Sequence, residues 1–196
     1  MEEYSGLESG GQILGELPKR RIHLKEGETM ASYKAGKAEA VAWIKEHFKK
    51  GSTCLDVGCC DGKWSKLLND YLIMDGVEVW QPYIVRYDLK KLYHRLFESD
   101  IRNLEYGFYD LIIFGDIIEH LPVDDARRVL EYAKTHCRNM IVAVPFLHHQ
   151  DAKNFNPYEI HIQDDLTPEI FDERFSGFVA IYQNEKYAYY VRGDAE

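Results

Sequence analysis

Short apolar runs alternate with longer amphipathic stretches along most of this chain, and near its end the alternation stops. The runs occupy residues 53–57, 77–80, 95–98, 109–114 and 140–144. Helical patterns fill gaps between them at 63–70 and 124–137, the second with Ala126, Val129, Leu130 and Ala133 on one stripe. Parallel strands need long crossovers, usually helices, so this order predicts a parallel sheet covered on both faces. Beyond a helical pattern at 167–175, two strand-like runs, 178–182 and 187–191, are separated only by Gln183-Asn184-Glu185-Lys186. A connection that short makes a hairpin. The expected fold is therefore α/β, with five parallel strands followed by an antiparallel pair.

A further helix is predicted at 35–50, with Ala38, Val41, Ala42, Trp43, Ile44 and Phe48 near helical spacing and Lys49 and Lys50 ahead of Gly51. Trp43 falls on its apolar stripe. Residues 1–30 hold five glycines, a proline and mixed charge, which suggests an arm or lid over 1–34 and a single domain over 35–196. Lys19, Arg20, Arg21, His23 and Lys25 cluster on the arm; a solvated face is expected, with a clamp for an anionic acceptor as the alternative. Across 196 residues, 24 Lys and Arg face 33 Asp and Glu, a net charge of −9. That balance opposes wrapping by nucleic acid. No run approaches the roughly 18–20 apolar residues of a membrane span, and the N-terminus is acidic where a signal peptide is basic, so a cytoplasmic location is expected. Cys54, Cys59, Cys60 and Cys137 include no C-x-x-C and are read as free thiols.

Residues 53–62, Thr-Cys-Leu-Asp-Val-Gly-Cys-Cys-Asp-Gly, run from a buried strand into a turn with Gly58 and Gly62 and on into a helix. Glycines let the backbone approach a ligand, and the helix start presents free N–H groups, so a nucleoside-type ligand fits there. Asp56 to Gly62 resembles the first motif of class I S-adenosylmethionine-dependent methyltransferases, and the likeness extends over about residues 33–191, with a Glu-His-Leu segment placing it near one subgroup. The resemblance implies a Rossmann-like three-layer sandwich with a mainly parallel seven-stranded sheet and an antiparallel C-terminal hairpin. It also implies S-adenosylmethionine as cofactor. Asp56, Gly58, Cys60 and Gly62 then belong to the cofactor turn. Glu78, with Val79 and Trp80, matches the acid that takes the ribose hydroxyls and the residues covering the nucleoside. Asp100 and Ile101 match the adenine edge, and Gly115 and Asp116 fall in the fourth-strand motif YDLIIFGDIIEHL. Cys60 stands where the family usually has glycine, and is expected to keep a negative φ because it carries a Cβ. A dinucleotide fits less well, since Asp56, Asp61, Glu78 and Asp100 would repel a pyrophosphate.

Asp116, Glu119 and His120 stand at i, i+3 and i+4, and His148, His149 and His161 follow the fifth strand. The set resembles the acidic and histidine ligands of small-RNA 2′-O-methyltransferases and of ubiquinone-pathway O-methyltransferases. Asp116 is shorter than the usual Glu, so a metal-free site is expected, with Glu119 and His120 bracing their loop. His148, His149 or His161 is then expected to be the catalytic base for a hydroxyl acceptor. The segment 146–166 is too long for a plain connector and is expected to shape the acceptor pocket. The leading expectation is O-methylation of a small molecule. The alternatives are a metal-dependent methyltransferase for RNA termini and a binding subunit whose cofactor site Cys60 weakens.

Overall fold

The computed structural model describes residues 35–153 and 155–193. The arm over 1–34, with its basic cluster, lies outside the described residues. The sheet is built from β1 (Thr53–Val57), β2 (Ile73–Val77), β3 (Arg95–Phe97), β4 (Tyr109–Gly115), β5 (Cys137–Pro145), β6 (Val179–Gln183) and β7 (Tyr187–Gly193). Its order is β3-β2-β1-β4-β5-β7-β6. The first five strands pair in parallel, β7 runs antiparallel to β5, and β6 antiparallel to β7. The helices are α1 (Lys37–His47), α2 (Lys63–Leu68), α3 (Gln81–Arg86), α4 (Leu89–Leu92), α5 (Val123–Thr135) and α6 (Pro168–Arg174). This is the expected Rossmann-like sandwich. Among the described residues, no helix is long and apolar enough to cross a membrane, and the four cysteines are free.

The period of two along the central strands makes both layers at once. Leu55, Val57, Ile112, Phe114, Val142 and Val144 face one core, shared with the Ala126, Val129, Leu130 and Ala133 stripe of α5 and with Phe171 of α6. Cys54, Leu111, Ile113, Ile141 and Ala143 face the other, shared with Ile44 of α1, Trp64 and Leu68 of α2, and Ile84 of α3. Each large apolar side chain buried in either core contributes about 1.5–3 kcal/mol.

One strand lies elsewhere than the apolar runs suggest. Residues 77–80 only begin in β2, which occupies 73–77 and whose apolar pattern is interrupted by Asp75 and Gly76. Asp75 is buried because Arg95 and the Tyr109 hydroxyl satisfy it, at 2.6 and 2.7 Å. Gly76 leaves room for the Tyr93 ring, which a Cβ would meet at 3.0 Å. β5 is also longer than its apolar centre, and 81–92 fold as α3 and α4. The hairpin turn matches its sequence, with Asn184 Oδ1 accepting from the amides of Lys186 and Tyr187.

From β1 the chain winds outward through β2 and β3, and from β4 it winds the other way. The C-terminal ends of β1 and β4 therefore flank a crevice that no crossover fills, the place where sheets of this kind hold ligands.

Candidate active site

β1 delivers the chain to a turn with left-handed backbone at three alternate positions: Gly58 at φ 68°, Cys60 at φ 44° and Gly62 at φ 72°. Gly58 is also required sterically, since a Cβ there would lie 1.9 Å from Cδ1 of Ile117. Cys60 does not keep the negative φ expected of it. The turn holds the path three glycines would take, at a cost of about 1–2 kcal/mol for a residue with a Cβ. What holds it is hydrogen bonding: Gly58 and Cys59 N–H both donate to the Val77 carbonyl, and Cys60 N–H donates to Glu78 Oε2 at 2.9 Å. Burial keeps the Cys60 thiol protonated, well above the usual thiol range.

Glu78 follows β2 directly. Its second oxygen accepts from Trp80 N–H at 2.7 Å, so two backbone amides aim one carboxylate at the crevice. Burial raises its pKa against the pull of those amides. Beneath the turn, Asp56 is buried and accepts from the Tyr93 hydroxyl at 2.5 Å. Burial pushes it from the ordinary 3.8 to about 7. Asp116, itself left-handed at φ 60°, accepts from the Tyr187 hydroxyl on Oδ1 at 2.5 Å, and its Oδ2 is buried without a hydrogen-bond partner among the described residues. Lys37, the first residue of α1, lies over the Trp64 ring at 4.5 Å. Burial lowers it to about 8, although Asp116 pulls it back up.

A cavity of about 220 Å³ opens between these groups. Its far wall comes from residues 146–153 and 155–166, which fold back over the strand ends. Leu147 N–H donates to Leu166 O, and His161 N–H to Gln150 O. The Gln163 side chain reaches the carbonyls of Ile118 and Leu121 at 2.8 and 2.9 Å. Tyr158 packs against Trp80 with ring centroids 6.2 Å apart. Glu159 lines the cavity, its carboxyl raised by burial.

The structure brings Gly58, Cys60, Glu78, Val79, Gly115 and Asp116 onto this one cavity, together with His148 and His161. Other residues singled out from the sequence lie off it. Asp100 turns to Arg102, which binds both its oxygens, and opens a 3₁₀ turn at Ile101–Asn103. Ile101 packs on the α5 core. Gly62 packs against Leu92, and Trp80 stands behind Tyr158. His149 is exposed and pairs with Asp164 at 2.9 Å, which raises its pKa. Residues 118–120 form a 3₁₀ turn rather than an α-helix, so Asp116 swings to Tyr187 while Glu119 and His120 approach His161. Lys37, Tyr187 and Glu159 carry no motif; a lysine at a helix start and a tyrosine opening a strand gave no signal of their own.

A family model described as methionine biosynthesis protein MetW matches residues 38–155. No curated protein matches the chain at a significant level. Many solved structures do. An S-adenosylmethionine-dependent methyltransferase from Clostridium acetobutylicum superposes with TM-score 0.63 at 13% identity, over 84% of this chain and 93% of that one. Magnesium protoporphyrin IX methyltransferase from Synechocystis, solved with its cofactor bound, gives 0.53 at 18% identity, over 80% and 77%. The N-methyltransferase NodS from Bradyrhizobium japonicum gives 0.54 at 12% identity, over 81% and 96%.

Proposed function

The chain belongs to the MetW family, and from its site we propose an S-adenosylmethionine-dependent methyltransferase that O-methylates a small-molecule acceptor. The observation that carries the cofactor is Glu78, whose carboxylate is aimed at the crevice by the amides of Cys60 and Trp80. A pair of ribose hydroxyls would take its remaining lone pairs. Five carboxyl groups, Asp61, Glu78, Asp116, Glu119 and Glu159, outnumber three lysines, Lys37, Lys63 and Lys153, on the cavity lining, which favours an ammonium and a sulfonium over phosphates. Lys37, on the same lining, would meet the cofactor's own carboxylate. The Synechocystis enzyme, solved with this cofactor on the same fold, supports the reading.

The cofactor supplies the methyl group; the chain's part is to hold the acceptor in line, exclude water and take a proton. Positioning of this kind supplies up to about 7–11 kcal/mol in well-oriented systems. Residues after β5 line the cavity, and of these His148 or His161 would take the proton of an acceptor hydroxyl. Calorimetry with S-adenosylhomocysteine tests the proposal. Wild type should bind, and Glu78→Ala should weaken binding at least tenfold, since a charge-assisted bond is worth about 1.5–3 kcal/mol. Absence of binding by wild type overturns the enzyme reading. It would favour instead a binding subunit with a weakened cofactor turn, a reading that draws on the Cβ of Cys60 at a left-handed position.

A further inference from the structure

Glu119 is fully buried in the 3₁₀ turn after β4, and neither of its carboxylate oxygens has a hydrogen-bond partner among the described residues. A buried carboxyl left without a partner is rare in native proteins and calls for a cation or a proton. The groups closest to serving it are two imidazoles. One ligand atom from each of Glu119, His120 and His161 lies within 4.8 Å of the other two. Metal bonds of about 2.0–2.2 Å in tetrahedral geometry place ligand atoms roughly 3.3–3.6 Å apart, so side-chain rotations that draw the three atoms about 1 Å closer close the set.

The two rings are already oriented. His120 Nδ1 lies 3.0 Å from the carbonyl of Ile160, and His161 Nδ1 lies 2.6 Å from that of His148. A carbonyl can only accept, so Nδ1 carries the proton in each ring and Nε2 of the neutral imidazole keeps its lone pair. A backbone carbonyl behind a histidine is the support that metal-binding imidazoles usually have. The two segments that supply the ligands are also tied to each other. Ile162 and Gln163 N–H both donate to the Glu119 carbonyl, and Gln163 bridges to Ile118 and Leu121. Asp116, the first acid of the sequence pattern, is engaged by Tyr187 and stays outside the set.

We propose that Glu119, His120 and His161 bind a divalent first-row transition-metal ion, such as zinc, cobalt or manganese, on the wall of the cofactor cavity. Two nitrogens and one carboxylate select this class over magnesium or calcium, which take oxygen ligands. All three residues line the cavity with His148, so an ion held by them would sit beside the space where an acceptor would lie. There the ion would hold an acceptor oxygen and ease its deprotonation, with His148 left to take the proton. That catalytic part rests on the methyl-transfer reading; the ion site itself does not.

The test is a cobalt(II) titration of the full chain after exhaustive chelation, followed by visible absorption and calorimetry. Wild type should take up one equivalent with d–d bands of an ordered site. Glu119→Gln and His161→Gln should each weaken uptake at least tenfold, since even loss of a supporting residue costs about 10–100-fold. His47→Gln, an exposed histidine on α1, should leave uptake unchanged. Thermal melting checks each variant, and His161→Gln carries the test if Glu119→Gln does not fold. Uptake below one equivalent in wild type, or equal affinity in wild type and both ligand variants, overturns the site. Titration of the same metal-free protein with S-adenosylhomocysteine separates the two claims. Cobalt uptake without S-adenosylhomocysteine binding leaves the ion site and removes the methyltransferase, and the reverse removes the ion site alone.

Discussion

The two walls of the cavity are built on opposite principles. The wall after β1 is local: Gly58 to Gly62 and Glu78 are held by backbone amides of one turn and the end of the adjacent strand. The wall carrying Glu119, His120 and His161 is assembled from segments some forty residues apart, joined by Gln163 and by amides donating to the Glu119 carbonyl. The first wall is written in the order of residues along the chain. The second exists only once the sheet and its overlying segment are in place.

The comparison can be broken most visibly by pH. Asp56 beneath the first wall and Glu119 and Asp116 in the second are all raised by burial. A carboxyl whose folded pKa exceeds its unfolded one keeps its proton longer in the folded state, so stability falls as pH rises between the two values. For Asp56 that window runs from 3.8 to about 7, and the loss across it is on the order of 4 kcal/mol. Denaturant unfolding of the cofactor-free, metal-free protein should show stability dropping from pH 4 to 7. Asp56→Asn should flatten that part of the profile. A profile that rises over the same range contradicts the buried carboxyls as described.

A smaller effect is expected at Gly58, the point where the walls touch. Gly58→Ala places a Cβ 1.9 Å from Ile117, the residue ahead of the Glu119 turn, at a left-handed φ. Strain and overpacking together should lower stability by about 2–4 kcal/mol. S-adenosylhomocysteine affinity should fall with it. If only stability changes, the two walls are less closely coupled than the contact implies.

The smallest effect sharpens the account of the first wall. Cys60→Gly keeps the backbone path and removes the left-handed cost, so it should raise stability by about 1 kcal/mol, less what glycine loses in unfolded-state entropy. Cofactor affinity should hold or tighten slightly. A large loss in calorimetry would assign the Cys60 thiol a contact of its own.

The legibility of the sequence followed the same division. The strand ranges around the crevice, the glycine turn and Glu78 were readable because each expresses a local need: alternating apolar residues for a sheet packed on both faces, small residues where φ is positive, an acid at a strand end. β2 escaped the reading because Asp75 counts as polar until Arg95 and Tyr109 are seen to satisfy it. Cys60 misled it because a Cβ argues against left-handed backbone, whereas the bonds to Val77 and Glu78 impose it.

By itself, then, the sequence determined the order of elements, the turn and the acid that overlooks it, because backbone sterics and hydrophobic periodicity act within a few residues of where they are encoded. Tertiary structure alone decided that Asp116 pairs with Tyr187, that Lys37 enters the cavity, and that His161 rather than His149 meets Glu119 and His120. Those choices depend on strand order and on hydrogen bonds between distant segments. No periodicity carries them, since their energies arise only when the chain has closed around the site.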